Sequence, residues 1–312
     1  MNNKVNRIIK LTVRLCSVLS HSLPRYSCRK SRHTYQQYQL AAIWCLMKYT
    51  KTDYRRIVEL LELMPGVMQA IGLGQLPHFT TINKFFLRFN SSAIYTAFVQ
   101  TTYLFHSEST IAAIDSTGYS STHASRYYVQ RMHGELERRN YIKASLSICT
   151  VNQCILAVKA RLGPRNDNID FEWLARQSAS LAKITHIVAD KGYDSEANHR
   201  LVRQLGSYPM IPVRRVGDYR IWTSYRKKML RHFDEPIYHR RSLVETVNSV
   251  MKRLMGSWVQ SRSLVPQCNE VILMCAVYNV HRHMTISFHG WFLHGRNAGM
   301  RLSAITKSFK YF

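Results

Sequence analysis

At 312 residues, 46% hydrophobic and 20% charged, the chain is long enough to bury a sizeable core and too apolar to remain disordered. Its 44 Lys and Arg against 18 Asp and Glu give a net charge of +26, which points to a polyanionic partner, because neutralising phosphates releases their counterions. No run approaches the roughly 18 apolar residues of a membrane span, and the seven cysteines hold no C-x-x-C pair, which argues against a disulfide scaffold or a zinc knuckle and for a reducing interior.

Residues 1–32 are basic and poorly patterned. Lys10 and Arg14 interrupt the apolar stretch, so no secretory signal is expected, and the segment reads as an arm that orders on a partner. From 33 to 104 the pattern is helical, with an apolar helix over 34–48 and a second over 53–64, where Ile57, Leu60, Leu61 and Met64 share one face. A Gly/Pro-rich connector follows, and then a third helix that Thr80 or Thr81 would cap, burying Ile82, Phe85, Phe86 and Phe89. Its outer face carries Asn83, Lys84, Leu87 and Arg88. Helix, turn and helix with a basic face suit a DNA-binding region in which Lys84 and Arg88 meet the backbone, and a plain helical support suits the pattern equally well.

From about 109 the period changes. Apolar strands are predicted at 109–115, 142–151, 154–162, 184–190 and 208–213, with helices at 170–182 and 195–205 and a strong helix at about 238–256. Strands alternating with helices predict an α/β sheet flanked by helices. Acidic residues are scarce, so their placement is informative. Asp115 closes one apolar strand and Asp190 another, where functional groups gather in open α/β sheets. Asp194 reads as the cap of the helix that follows it, and His186, His199, His232 and His239 as surface or DNA-facing residues without metal-ligand spacing.

In the late helix Tyr238, Arg241, Glu245 and Lys252 fall within about 60° of one another. Leu243, Val247, Val250 and Leu254 cluster opposite, ready to pack on the sheet. A solvated amphipathic helix with an Arg–Glu pair would show the same periodicity. The chemistry gives the set its interest. Breaking or transferring a DNA phosphodiester requires charge stabilisation on the attacking and leaving oxygens, which two Mg²⁺ ions held by hard carboxylate oxygens can supply. Neighbouring Arg, Lys and Tyr would hold the DNA backbone.

The spacing Y-x2-R-x3-E-x6-K at Tyr238, Arg241, Glu245 and Lys252 resembles the signature around the third carboxylate of bacterial and archaeal insertion-sequence DDE transposases. The segments AIDST and ADKGYDS resemble the family's first and second carboxylate blocks, which places those roles on Asp115 and Asp190. The resemblance covers about 105–285 and implies an RNase H-like mixed sheet flanked by helices, behind the all-α region, with 286–312 as a tail. It also implies Asp115, Asp190 and Glu245 as the catalytic, metal-holding set for two Mg²⁺ ions, with Mn²⁺ a possible substitute. The function implied is binding of terminal inverted repeats and target DNA by an oligomer, then strand cleavage and 3′-OH strand transfer, in a prokaryotic cytoplasm on the nucleoid. A nuclease of the same fold without strand transfer and a catalytically retired DNA-binding repressor are the alternatives.

Only 54 residues separate Asp190 from Glu245, too few for the large β-rich insertion of some relatives, which puts hairpin formation in doubt. The intervening stretch 200–231 is basic, with Tyr219, Trp222 and Tyr225 interleaved, and Trp222 is the candidate for base stacking. Lys143 resembles a lysine common in the family, with a cross-strand surface role the competing reading.

Overall fold

The computed structural model of the chain describes residues 2–30, 32–105, 109–121, 141–214 and 223–294. The strands among them form one five-stranded sheet in the order β3-β2-β1-β4-β5. β1 (Thr110–Ser120), β2 (Tyr141–Cys149) and β3 (Ile155–Leu162) pair antiparallel in sequence order. β4 (Ile184–Ala189) returns parallel to β1 on its other side, and β5 (Tyr208–Met210) lies parallel to β4. Parallel neighbours need crossover connections, and helices supply both: α7 (Asn168–Leu181) before β4 and α8 (Glu196–Gln204) before β5. The mixed α/β class expected from the sequence is the class observed.

Upstream lies the helical region. α1 spans Asn2–Ser22, α2 Gln37–Thr50, α3 Tyr54–Glu62, α4 Pro65–Ile71, α5 Phe79–Arg88 and α6 Ser91–Thr102. Residues 1–32, expected to be an arm ordered only by a partner, instead hold a packed helix. Leu11, Leu15 and Leu19 of α1 recur every fourth residue and are buried, while Lys10 and Arg14 point to solvent. α2 is buried from Gln39 to Lys48, the pattern of a helix enclosed on all sides, and its Trp44 stacks on Phe86 of α5 with centroids 4.3 Å apart. The connector expected after residue 64 contains α4, which Pro65 opens and Gly72 closes at φ 73°, a left-handed conformation that favours glycine. α5 begins two or three residues earlier than expected, with the His78 ring, not Thr80 or Thr81, at its N-cap. Its outer face carries exposed Lys84, Leu87 and Arg88.

Side chains alternate across the sheet, so its two faces have separate cores. Ala112, Ile114, Ile187 and Ala189 pack toward α7 and α8 with Phe171, Leu174 and Val202. Ala113, Tyr119, Ile142, Leu146 and Val188 face the other way, into a cluster that reaches back to Leu11, Trp44 and Phe98. The long helix α12 (Leu264–His294) packs against α6, α2 and β3 and completes that second cluster with Met274, Val277 and Tyr278. It also runs through the boundary expected near 285. The helical region and one face of the sheet therefore share a core.

Candidate active site

β1 pairs with β4 only as far as Ile114↔Ala189, whereas its pairing with β2 continues to Ser120↔Tyr141. Asp115 sits at the point where the parallel partner leaves, with Asp115 to Tyr119 paired on the β2 side alone and Ser120 bridging to Trp258 on the other side. The expected strand end is thus a mid-strand position, because the antiparallel hairpin carries β1 further than its apolar run. Asp190 follows the last residue of β4, one step past the Ile114↔Ala189 pair, so the register sets the two aspartates side by side. Its carboxylate accepts the Lys191 amide at 2.7 Å and opens the short 3-10 turn Lys191–Tyr193. By alternation Asp115 shares its face of β1 with Ala113 and Tyr119, the face covered by a late helix.

That helix is divided. α9 (Ser224–Arg231) fills part of the basic stretch; α10 (Glu235–His239) follows, and α11 (Ser242–Met255) carries Glu245 in its first turn. Between α10 and α11 the amides of Arg240, Arg241 and Leu243 bond three residues back, a tighter turn than the α-helix. The single face expected over 238–256 is therefore broken after Tyr238. The residues α11 buries also differ: Val244, Val247, Met251 and Met255 are fully buried, while Leu243, Val250 and Leu254 are only partly so. Both stripes are apolar and lie one residue apart, so periodicity could not choose between them.

α11 crosses over β1 beside an open cleft of about 530 Å³ lined by Asp115, Thr117, Glu245, Asn248, Lys252 and Arg253 among others. Arg241 bridges two of the predicted carboxylates, 2.8 Å from Glu245 and 3.8 Å from Asp115. Burial raises the Asp115 carboxyl above its ordinary range. The Ser116 amide and Arg241 oppose that rise, and the like charges of Glu245 and Asp190 add to it. Burial pushes the Lys252 ammonium below the usual lysine value, and its Nζ lies 5.6 Å from the Tyr119 ring. Tyr238 stands beside Phe233, 5.3 Å between centroids, and is half-buried.

The donor set suits a hard divalent ion: carboxylate oxygens, with no thiolate or imidazole among them, and the charges of Glu245 and Asp190 raise the proton affinity of Asp115. Among the described residues no three His, Cys, Asp or Glu side chains yet converge to metal-ligand distance, and Arg241 supplies the positive charge between Asp115 and Glu245. The Arg241–Glu245 pair is half exposed and of the i,i+4 type, worth only about 0.3–0.5 kcal/mol.

A family model described as the transposase DDE domain matches residues 106–280, a span that contains Asp115, Asp190, Glu245 and the whole sheet. The chain belongs to that family. No curated protein matches it. Members of the family typically use divalent metal ions, and its domain implies a DNA substrate for this transposase. No helix among the described residues is long and apolar enough to cross a membrane.

Of the other residues singled out in the sequence, Trp222 lies outside the described residues, as does Tyr219. Lys84 and Arg88 of the transposase line, with Arg32, His78 and Phe85, a cavity of about 680 Å³ beside α5, remote in sequence from the carboxylates. Lys143 is buried rather than on the surface. It faces α7 and pairs with Asp167, which accepts the Ser116 hydroxyl at 2.7 Å, so the residue next to Asp115 is anchored from behind. Two expectations are corrected. His199 is fully buried, its Nε2 3.0 Å from Asp194, and does not face DNA. Ser195, not Asp194, caps α8, and the Asp194 side chain is 1% exposed. Burial alone would push the Asp194 carboxyl up, yet His199, Arg226 and the Arg214 amide together hold it down at about 2. A carboxylate four residues from Asp190 gave no sequence signal of its burial; its partners lie 5, 20 and 32 residues away.

Proposed function

We propose that this transposase binds the terminal inverted repeats of its own element as an oligomer, cuts one DNA strand hydrolytically, and joins the freed 3′-OH to target DNA. The observation that carries the reading is the juxtaposition of Asp115 with Asp190 across the β1–β4 register, and with Glu245 and Lys252 across one cleft. Asp115, Asp190 and Glu245 are the residues that would hold two Mg²⁺ ions, or Mn²⁺ in their place. Bound there, the ions would stabilise charge on the attacking and leaving oxygens. In the first step a water oxygen bonds to phosphorus and the 3′-oxygen leaves. In the second that 3′-oxygen bonds to a target phosphorus and displaces the target's own 3′-oxygen.

The remaining roles belong to side chains that handle DNA. Arg241, with its planar fork beside both carboxylates, suits a bidentate grip on the scissile phosphate. Lys252 enters the same cleft from one face of α11, and Tyr238 positions the backbone rather than attacking it, since no covalent protein–DNA link is required. Lys84 and Arg88, exposed on α5 with Arg32 close by, supply a second basic surface for the terminal repeat. Trp222 is the stacking residue of this proposal.

The test is a cleavage and joining assay on labelled DNA bearing the element's ends, in Mg²⁺ or EDTA, with wild type against Glu245→Gln. Removing one metal-holding charge should lower metal-dependent joining at least about 100-fold, the equivalent of roughly 3 kcal/mol of transition-state stabilisation. Cleavage without joining would convert the reading to a nuclease. Tight binding without chemistry would convert it to a repressor.

A further inference from the structure

The polypeptide between Asp190 and Glu245 returns to one buried carboxylate. Asp194 follows Asp190 across a single 3-10 turn, in which the Tyr193 amide bonds back to the Asp190 carbonyl at 2.9 Å. Its Oδ2 accepts the Arg214 amide at 2.8 Å, where the chain leaves β5, and the Arg226 guanidinium at 2.6 Å, from the basic helix α9. Its Oδ1 accepts His199 Nε2 from α8. Arg226 also donates to the Arg214 carbonyl, and Glu196 takes the Tyr225 and Arg226 amides at the start of α9. Four segments of chain thus meet at one point, two of them flanking the segment 215–222. A carboxylate 1% exposed needs such donors, and because they come from separate segments, satisfying Asp194 ties those segments together.

We infer that Asp194 is a positioning residue of the transposase, fixing the turn that presents Asp190 to the chain that leads through α9 and α10 to Glu245. Asp194 touches neither DNA nor metal in this assignment. It acts through the backbone of Lys191–Tyr193 and through Arg226, so that the second and third carboxylates keep one separation. The inference rests on the metal-dependent reading above.

The test uses the full-length protein and two readouts that a general loss of structure would not separate: Mn²⁺ binding, followed by the paramagnetic resonance of the free ion, and DNA binding in EDTA. Asp194→Asn keeps the volume but turns an amide toward the Arg226 donors. It should bind Mn²⁺ about tenfold more weakly, the range seen when a group that orients a ligand is lost, with DNA affinity in EDTA within about twofold of wild type and cooperative melting retained. Arg226→Gln should follow it and Arg226→Lys should recover most of the loss, while Asp190→Asn should remove the Mn²⁺ sites. If Asp194→Asn does not fold, the Arg226 pair carries the comparison, since that side chain is 23% exposed and its loss leaves the Asp194–His199 contact. Wild-type Mn²⁺ affinity in a folded Asp194→Asn or Arg226→Gln overturns the inference, as does a parallel loss of DNA binding and melting. A wild-type chain that binds no Mn²⁺ overturns the two-metal reading itself, a distinct result.

Discussion

Burial raises the Asp115 carboxyl above its ordinary range, and the neighbouring Glu245 and Asp190 charges reinforce the rise while Arg241 works against it. The sign of the pH dependence follows. A carboxyl raised in the folded state favours the fold most when protonated, and that contribution is lost as pH rises through its folded value; the ionised form needed to hold metal is lost as pH falls. The acid limb of DNA cleavage should therefore lie above the ~3.9 of an unperturbed aspartate, and Arg241→Gln should move it higher still. A pH–rate profile checks this, and a limb unmoved by the Arg241 change would contradict it. At this scale the sequence singled out Asp115, Asp190, Arg241, Glu245 and Lys252 from spacing and resemblance, and Asp115, Arg241, Glu245 and Lys252 lie around one cleft. Asp194 and His199 were misread, and the surface reading of Lys143 fails, because burial comes from packing that local sequence does not report: Asp194 meets Arg226 32 residues on, and Lys143 meets Asp167.

Helices α2 and α12 are joined by the ion pair Lys48–Glu270, 2.6 Å long and almost wholly excluded from solvent. Glu270 has further donors in the Gln260 and Ser261 amides and the Ser261 hydroxyl, whereas Lys48 has no other acceptor among the described residues. Removing either partner is therefore not symmetrical. Glu270→Gln leaves a buried ammonium without its counter-charge and should destabilise the protein by about 3–5 kcal/mol, read from the urea midpoint. Lys48→Met should cost less, because the remaining donors still satisfy the carboxylate; equal losses would show that the backbone donors contribute little. Element boundaries were legible to within a few residues for the sheet and for α7 and α8. α1 was missed although Leu11, Leu15 and Leu19 carried a helical stripe, because the cations on its outer face were taken to break an apolar run. The α10–α11 break left no proline or glycine at residues 240–241 to announce it.

The molecule as a whole carries +26, and its proposed DNA surfaces lie at α5 and at α11. Electrostatic binding of this kind depends steeply on salt. If 6–10 phosphates are engaged, affinity for end DNA should fall by about 10³–10⁵ between 50 and 200 mM salt. Lys84→Gln with Arg88→Gln should flatten the log–log slope by about two. A slope near zero, measured by fluorescence anisotropy, would remove both surfaces from the DNA interface. The mixed fold class was legible from the change of hydrophobic period near residue 109. The shared core was not, since nothing in local periodicity tells which faces of α2, α6 and α12 meet the sheet.

That common core has a mechanical consequence. With Trp44, Ala113, Met251 and Tyr278 packed into one cluster, the helical region has no interior independent of the sheet face it covers, so the two cannot swing apart without opening that core. Under the proposed function the protein is a ruler: a terminal repeat gripped at α5 would meet the carboxylates at a set distance, so the cut position would be measured by the length of the protein rather than read from the bases at the cut.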